Sequence, residues 1–423
     1  MKDTDKKQVV SQEGKMLALV AGVAATVREG LFELVIRSGL GVVGAMLEAD
    51  RERLCGPRYE HSAHTAHRAG HVEGGLTMGG RRVTVKRPRV RSSEGRELPL
   101  PTWERYASDD PLTERAVEQM LIGVATRQYG RSLEPVSPSV KSRGTSKSAV
   151  SRRFVAATLA QMEAWNTRRI ADLRLAVLMI DGIAFGQDHL IVIALGIDED
   201  GHKHVLGLRE GGTENAATCT ALLSSLVERG LDPGRPLLVV LDGGKALRAA
   251  VREVFGKRAL VQRCQVHKIR NVVDQLPEKL RPSVRSAMAE AYRSRSEATA
   301  RRLLNNLERR LSKEHPGAAA SLREGLDETL TILGARLPSA LERTLATTNP
   351  IENLNSLARR TCGRVTRWRS GEMILRWMAS AMSEAAKGFH RLKGHTAMST
   401  LVAWLKRTLA RSEAESGADT RAA

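Results

Sequence analysis

Aromatic residues are scarce in this chain, at 3% of 423 positions. A binder that stacks successive bases on aromatic platforms is therefore not expected. Cysteine is equally sparse. Cys55, Cys219, Cys264 and Cys362 lie far apart, with no C-x-x-C pair and no disulfide spacing, which fits a reducing cytoplasm. No uncharged apolar run reaches the roughly 18 residues of a spanning helix, and the start, Met1-Lys-Asp-Thr-Asp-Lys-Lys7, lacks the order of a signal peptide. A cytoplasmic protein without membrane insertion is expected. Acids are also in short supply: 47 Asp and Glu face 67 Lys and Arg, a formal charge of +20. That excess predicts a polyanionic partner, nucleic acid first, with phosphate contacts carrying the affinity.

What the chain does have is two apolar runs, each ending in an acid. Leu175-Ala-Val-Leu-Met-Ile-Asp181 and Leu237-Leu-Val-Val-Leu-Asp242 read as strands buried on both faces. Side by side in parallel, they would bring Asp181 and Asp242 to one end of a sheet. Two close carboxylates repel, and the usual remedy is a divalent cation. Around them, residues 174–263 read as an α/β unit. Strands are predicted at 174–181, 189–197 and 203–209, a helix at 214–229, a strand at 236–241, a helix at 245–255 and a short strand near Leu260. Gly201 punctuates the hairpin between the second and third strands. This is the element order of a ribonuclease H-like sheet, in which the first and fourth strands are neighbours.

The flanking regions divide by composition. Residues 1–55 are predicted helical over 15–54, with Val27, Leu31, Leu34 and Val35 on one stripe, packed against the next domain or against another subunit. Residues 56–165 read as a DNA-binding region. Its glycines precede Arg81-Arg-Val-Thr-Val-Lys-Arg-Pro-Arg-Val-Arg91, a strand with one basic face that includes Arg82 and Lys86 and ends near Pro88. Arg81, Arg87, Arg89 and Arg91 complete the candidate DNA contacts there. His61, His64, His67 and His71 fall close by, but their spacing with Cys55 matches no zinc pattern. A helix is predicted over Leu112–Tyr129, capped by Asp109 or Asp110 and buried along Val117, Leu121 and Val124. A second, capped by Ser146, buries Val150, Phe154 and Ala157 and presents Lys147, Ser148, Ser151 and Arg152, in the manner of a helix-turn-helix recognition helix. The turn between the two is longer than in the compact motif. The first part of the core is taken as 166–275. Residues 276–340 read as a helical insertion with a Leu304, Leu307, Leu311 stripe. Residues 341–410 return to the core with C-terminal helices, and 411–423 form an irregular tail.

Glu352 stands near the start of a helix after Pro350, spaced by three from Asn349 and Asn355, so the three can share a face. The segments Asp181-Gly, Leu241-Asp-Gly-Gly, Cys264-Gln-Val-His267-Lys and Thr348-Asn-Pro-Ile-Glu-Asn353 follow in that order, with Gly207-Leu-Arg-Glu-Gly-Gly-Thr-Glu-Asn215 between the first two acids. Together they resemble the mutator-type DDE transposases of bacterial insertion sequences, from about Leu112 to Arg376. The resemblance implies an acidic triad at Asp181, Asp242 and Glu352, catalytic and metal-binding at once. It implies that Cys264 and His267 support the sheet edge, beside Asn349 and Asn355. It further implies Mg²⁺-dependent phosphoryl transfer on double-stranded DNA, at the ends of the element and at target DNA, by a homodimer on DNA. Two Mg²⁺ ions about 4 Å apart suit in-line displacement at phosphorus, and Mn²⁺ is expected to substitute. Two other readings remain: a transposase-derived regulator that binds DNA without cutting it, and a metal-dependent nuclease specific for branched DNA.

Overall fold

The computed structural model describes residues 34–59, 66–78, 80–108, 111–133, 141–143, 146–186, 188–212, 215–294, 296–365 and 367–422. The protein is mixed α/β and divides into two compact units, Met1–Ala157 and Thr158–Ala423. Among the described residues, no helix is long and apolar enough to cross a membrane.

In the first unit, helix α1 (34–55) is followed by a long antiparallel hairpin, β1 (Ala66–Met78) and β2 (Arg81–Ser92). The short strands β3 (Glu97–Leu98) and β4 (Ser142–Arg143) pair with opposite ends of β2. Helices α2 (Pro101–Ser108) and α3 (Pro111–Leu121) lie between them in the chain, and α4 (Lys147–Thr167) runs across the boundary between the units.

The helix of the N-terminal segment is present, but its buried stripe is not the expected one. Leu34 and Val35 are each 60% exposed, whereas Ile36, Val43 and Leu47 are buried. Val43 and Leu47 pack with Leu76, Val85, Val90 and Leu100, so this helix covers the hairpin of its own unit. Val27 and Leu31 lie outside the described residues, as do His61, His64, Asp109 and Asp110. Along β2 the expected alternation holds, with Val83 and Val85 inside and Arg82, Thr84 and Lys86 exposed. The strand does not stop at Pro88, however. Pro88 sits between the stretches paired to β4 and to β3, opposite a register shift in β1, where its missing N–H leaves no ladder bond broken.

Helix α3 stops at Leu121, short of the expected Tyr129. Gly123 adopts a φ of +106°, and the Val124 amide reaches back to the Gln119 carbonyl at 2.7 Å, which closes the helix with a left-handed glycine. Ala116 and Tyr129 are the buried residues there, packed with Leu133 and Val150, instead of Leu121 and Val124. Residues 122–146 then connect α3 to α4 by way of β4. A strand in the connection separates this arrangement from a compact helix-turn-helix. Ser146 caps α4 as expected, accepting from the Ala149 amide at 3.2 Å.

The second unit is built on a five-stranded sheet: β5 (Leu175–Phe185), β6 (His189–Asp198), β7 (Lys203–Gly211), β8 (Leu237–Leu241) and β9 (Ala259–Arg263), in the order β7-β6-β5-β8-β9. β6 is antiparallel to both of its neighbours, β5 and β7, and β5, β8 and β9 are parallel. The two apolar runs are thus neighbours, as their composition implied. Helices α5 (Ala216–Glu228) and α6 (Lys245–Phe255) pack on one face, and Leu178, Ile180, Val239 and Leu241 join Leu222, Leu226 and Val251 in the core. β5 runs four residues beyond the expected end, because its hairpin with β6 continues to Phe185 after β8 has stopped at Leu241.

Helix α7 (Gln265–Val273) leads to α8 (Arg281–Tyr292), α9 (Glu297–Glu314), α10 (Pro316–Arg323), α11 (Leu326–Leu330) and α12 (Ser339–Leu345). Leu304, Leu307 and Leu311 form the buried stripe of α9 and share a core with Val272, Val273, Met288 and Leu330. The chain then returns through α13 (Asn349–Cys362), α14 (Gly371–Lys387) and α15 (Met398–Ala422), so the expected irregular tail continues a helix as far as Ala422.

Two buried polar groups tie these helices to the sheet. Lys268, fully buried, donates to the carbonyls of Ser321 and Glu324 at the end of α10, where a cation meets the negative end of a helix. Gln262, on edge strand β9, donates to the Thr329 carbonyl at 3.1 Å and accepts from the Ile332 amide at 2.8 Å. Gln262→Leu keeps the volume but strands the Ile332 amide, while the Thr329 carbonyl keeps a second donor, Gln265 Nε2 at 2.9 Å. An unsatisfied buried group costs roughly 1–3 kcal/mol, so a loss of about 1–3 kcal/mol in unfolding free energy is expected in urea melts.

Candidate active site

The register of β5 against β8 sets the site. Ile180 pairs with Leu241 in the last rung of the parallel ladder, and Asp181 and Asp242 each follow immediately. Adjacent strands lie about 4.8 Å apart, so the two acids stand at the same level of the sheet. Asp181 lies inside β5, opposite Ile193 on β6, at the point where the β8 neighbour is lost. Asp242 opens the turn into α6. Gly243 takes a φ of +111° there, and any side chain on it would collide with the Arg263 guanidinium.

Backbone amides aim both carboxylates. Asp181 accepts from the Gly182 amide at 2.9 Å, and Asp242 from the Gly244 amide at 2.8 Å. The third acid arrives from α13. Glu352, in its first turn, accepts from the Thr348 hydroxyl and lies 3.8 Å from His267 Nδ1. One turn further on, Asn355 donates from Nδ2 to Asp181 Oδ2 at 2.7 Å. Asn355 is only 3% exposed, and its Oδ1 is buried without a partner.

Thr348, Cys264 and His267 form the wall behind Glu352. The Thr348 hydroxyl lies 3.4 Å from both Cys264 Sγ and His267 Nδ1. The Cys264 amide donates to the Leu241 carbonyl at 2.7 Å, and the Gln265 amide to the Ala346 carbonyl at 2.9 Å. This junction fastens the start of α7 to the end of β8 and to the segment before α13. Burial would raise the Cys264 thiol, but its contacts with His267 and Thr348 outweigh that and lower it. His267 is raised, first by the Cys264 sulfur, against burial, and then by the negative charges of Glu352 and Asp242.

The surroundings of Asp181 disfavour its ionised form. The Asp181 carboxyl is pushed up to about 6, chiefly by burial, with the charges of Asp242 and Glu352 adding to it and the Gly182 and Asn355 hydrogen bonds opposing it. Among the described residues, neither aspartate has a Lys, Arg or His at ion-pair distance. An all-oxygen set suits Mg²⁺ or Mn²⁺, and the orphaned Asn355 oxygen beside Asp181 adds a further oxygen donor. Cys264, His267 and Glu352 make a tighter group, with donor atoms within 4.8 Å of one another, as do Asp198, Asp200 and His202 at the β6–β7 hairpin. Glu352 thus leans toward Thr348 and His267, while the two aspartates share one level of the sheet.

The remaining sequence-selected residues fall elsewhere. Asn349 lines a separate pocket with Pro350 and Asn353. In the first unit, Arg82, Lys86, Arg91, Lys147, Ser148 and Arg152 are exposed, with Arg81 and Ser151 half-buried. Arg87 and Arg89 are engaged by Glu97 at 3.1 and 2.6 Å, and Arg87 also stacks on Trp103 at 5.1 Å. Cys55 joins no group of metal-ligating side chains among the described residues, and His71 lies 3.5 Å from Glu48. Sequence reasoning missed Thr348 and the amides of Gly182 and Gly244. The Thr-Thr before Asn-Pro and the glycines after each aspartate were the available signals.

A family model described as "Transposase, Mutator family" matches residues 10–391. The chain belongs to the Mutator family of transposases. Its relatives include the transposase for insertion sequence element IS256 in transposon Tn4001 of Staphylococcus aureus, 28% identical over 337 residues, which span 75% of this chain and 81% of the relative. The transposase for insertion sequence element ISRM5 of Rhizobium meliloti is 29% identical over 356 residues, 82% of this chain and 86% of the relative. A probable insertion-sequence transposase of Corynebacterium diphtheriae is 32% identical over 212 residues, 48% and 60% of the two chains.

In this Mutator-family chain the raised Asp181 carboxyl makes a testable link between site and stability. An acid whose folded pKa exceeds its unfolded value, ordinarily about 3.9, holds its proton more tightly when folded. Its contribution is therefore largest below about pH 4 and is lost as the pH rises to 6. Asp181→Asn removes that loss, and the Asn355 amide can turn so that its orphaned oxygen accepts from the new NH₂. In EDTA at pH 7 the variant should be more stable than wild type by about 1–3 kcal/mol, with the difference shrinking toward pH 4. Thermal melts across that range check it.

Proposed function

We propose that the protein binds the terminal inverted repeats of its insertion sequence and catalyses metal-dependent DNA cleavage and strand transfer, with Asp181, Asp242 and Glu352 as a DDE triad on a ribonuclease H-like core. The observation that carries this reading is the set of carboxylates at the end of the β5–β8 pair, where, among the described residues, no Lys, Arg or His lies at ion-pair distance from either aspartate. Mg²⁺ or Mn²⁺ held by these acids would supply charge stabilisation and an activated water or 3′-hydroxyl for in-line attack at phosphorus. Asp181, Asp242 and Glu352 would each supply carboxylate oxygens to the ions.

The chain's own residues hold this arrangement. The Gly182 and Gly244 amides and the Asn355 side chain fix the carboxylate planes. Thr348, Cys264 and His267 position the turn that carries Glu352. The attacking oxygen belongs to water or DNA, so no serine or tyrosine nucleophile is required. The exposed cations of β2 and α4 are proposed to hold the DNA ends through phosphates, with a homodimer joining two ends.

Asp242→Asn removes one negative charge at nearly constant shape. Metal charge stabilisation is worth several kcal/mol and about 1.4 kcal/mol is tenfold in rate, so nicking should fall by orders of magnitude. The measurement uses a labelled duplex carrying the inverted repeat that flanks this reading frame, with Mg²⁺ and with EDTA. Wild type should nick at the repeat end and join the 3′-hydroxyl to a second duplex. Binding without cutting by wild type marks a regulator, and cutting of branched DNA without joining marks a structure-specific nuclease. Equal nicking by Asp242→Asn and wild type removes Asp242 from the site.

Arg82→Ala, Lys86→Ala and Arg91→Ala together should weaken binding to that duplex and flatten its salt dependence by about 0.9 for every phosphate no longer neutralised, as read by anisotropy titrations. An unchanged slope counts against the ribbon.

A further inference from the structure

A second charged feature of the Thr158–Ala423 unit lies beside the catalytic helix. A cavity of about 380 Å³ is lined by Lys203 at the start of β7, Arg343 and Thr344 of α12, Asn349 and Asn353 of α13, and Arg391 and Lys393 after α14. Its wall contains four cations and no Asp or Glu. Their close contacts are with neutral groups, although Arg343 also interacts with the charge of the half-buried Glu342 next to it on α12. Lys203 lies over the Phe389 ring at 5.6 Å, Arg343 donates to the Ser339 carbonyl at 3.0 Å, and Arg391 donates to His202 Nε2 at 3.0 Å. The nearby acid, Asp198, is occupied by His204 and His202 at 2.9 and 3.3 Å. Among the described residues, none of the four is ion-paired.

The contrast with the larger cavity is informative. That one, of about 600 Å³ between α6, β9 and α11, includes Arg248 and Arg252 but also Asp327 and Glu328, and Arg248 is paired with Glu328 at 2.5 Å. With Lys257 its lining carries three cations against two acids, so its charge is largely offset. The smaller cavity keeps its positive charge and adds the side-chain amides of Asn349 and Asn353, donors that phosphate oxygens accept. Its volume falls within the roughly 300–1,000 Å³ of ligand pockets, room for more than a lone ion. Asn349 and Asn353 flank Glu352 on α13, within about 5 Å along a helix that rises 1.5 Å per residue.

We propose that this pocket binds a backbone phosphate of the DNA strand being cut, close to the scissile bond, so that one helix carries the third acid on one face and a phosphate clamp on the next. The proposal deepens the reading of the triad as a DNA-cleaving centre and rests on it. It adds a DNA contact in the catalytic unit, distinct from the cations of β2 and α4.

The test uses the full-length Asp242→Asn chain as a non-cutting parent, and the same chain with Arg343→Gln, Arg391→Gln and Lys393→Gln. These three side chains are exposed, so folding should be retained, as unchanged thermal melts would verify. Binding to the inverted-repeat duplex is measured from about 50 to 200 mM salt, and ethylation interference maps the phosphates required. The triple variant should bind at least tenfold more weakly at low salt, its salt slope should fall by about 0.9 for each phosphate it releases, and the phosphates adjoining the nick should cease to matter. An unchanged slope with an intact fold overturns the proposal, as does an effect confined to phosphates far from the nick. Binding of inorganic phosphate by the parent that the triple variant loses, without any change toward DNA, also overturns it and leaves a small-anion site. If the slope and footprint change as expected while wild type never nicks, the pocket stands and the cleavage reading fails.

Discussion

The parallel pairing of β5 with β8 is the constraint on which the rest of this structure depends. Because Ile180 and Leu241 form the last rung, the next residue of each strand must share one level, and both are aspartates. The core makes the register hard to change. Leu178, Ile180, Val239 and Leu241 are all buried, and a one-residue slip would turn every one of them to the other face. Burial of apolar surface thus forces together two like charges that would separate in water. Part of the cost is visible in the Asp181 carboxyl, raised to about 6 chiefly by burial and further by the Asp242 and Glu352 charges.

The third carboxylate comes from far along the chain, and the intervening helices make that delivery accurate. Lys268 and Gln262 bond to carbonyls and amides that no helix or strand satisfies, so the α8–α12 segment is fastened to the edge of the sheet. The return segment is fixed in turn by the Gln265–Ala346 backbone bond and by Thr348. Cys264 and His267 belong to this junction. Their contacts place a thiol and an imidazole directly behind Glu352, through the Thr348 hydroxyl that all three share.

Charge is distributed in a similarly selective way. A count of arginines on β2 overstates the strand's usable positive charge, since Glu97 engages Arg87 and Arg89. The cations of the pocket beside α13 are scattered along the chain, and none stands out in a charge count. They matter because their acidic counterparts are absent or otherwise engaged.

Much of the second unit was legible in the sequence because its strands are short, continuously apolar and bounded by glycine or acid, and a buried strand leaves that signature whatever surrounds it. The adjacency of Asp181 and Asp242, the α9 leucine stripe and the Ser146 cap followed from local pattern alone. Only the tertiary structure decided which face of the N-terminal helix is buried, since Leu34 and Val35 are as apolar as Ile36 and Val43 and the choice depends on where the hairpin lies. It also decided the end of α3, set by a glycine turn, and the passage of β2 through Pro88, set by an unpaired edge. Lys268, Gln262, Thr348 and the basic pocket had no local signature. Each acts through groups more than fifty residues away, or on another segment of the chain, and hydrogen-bond satisfaction over such separations exists only once the chain has folded.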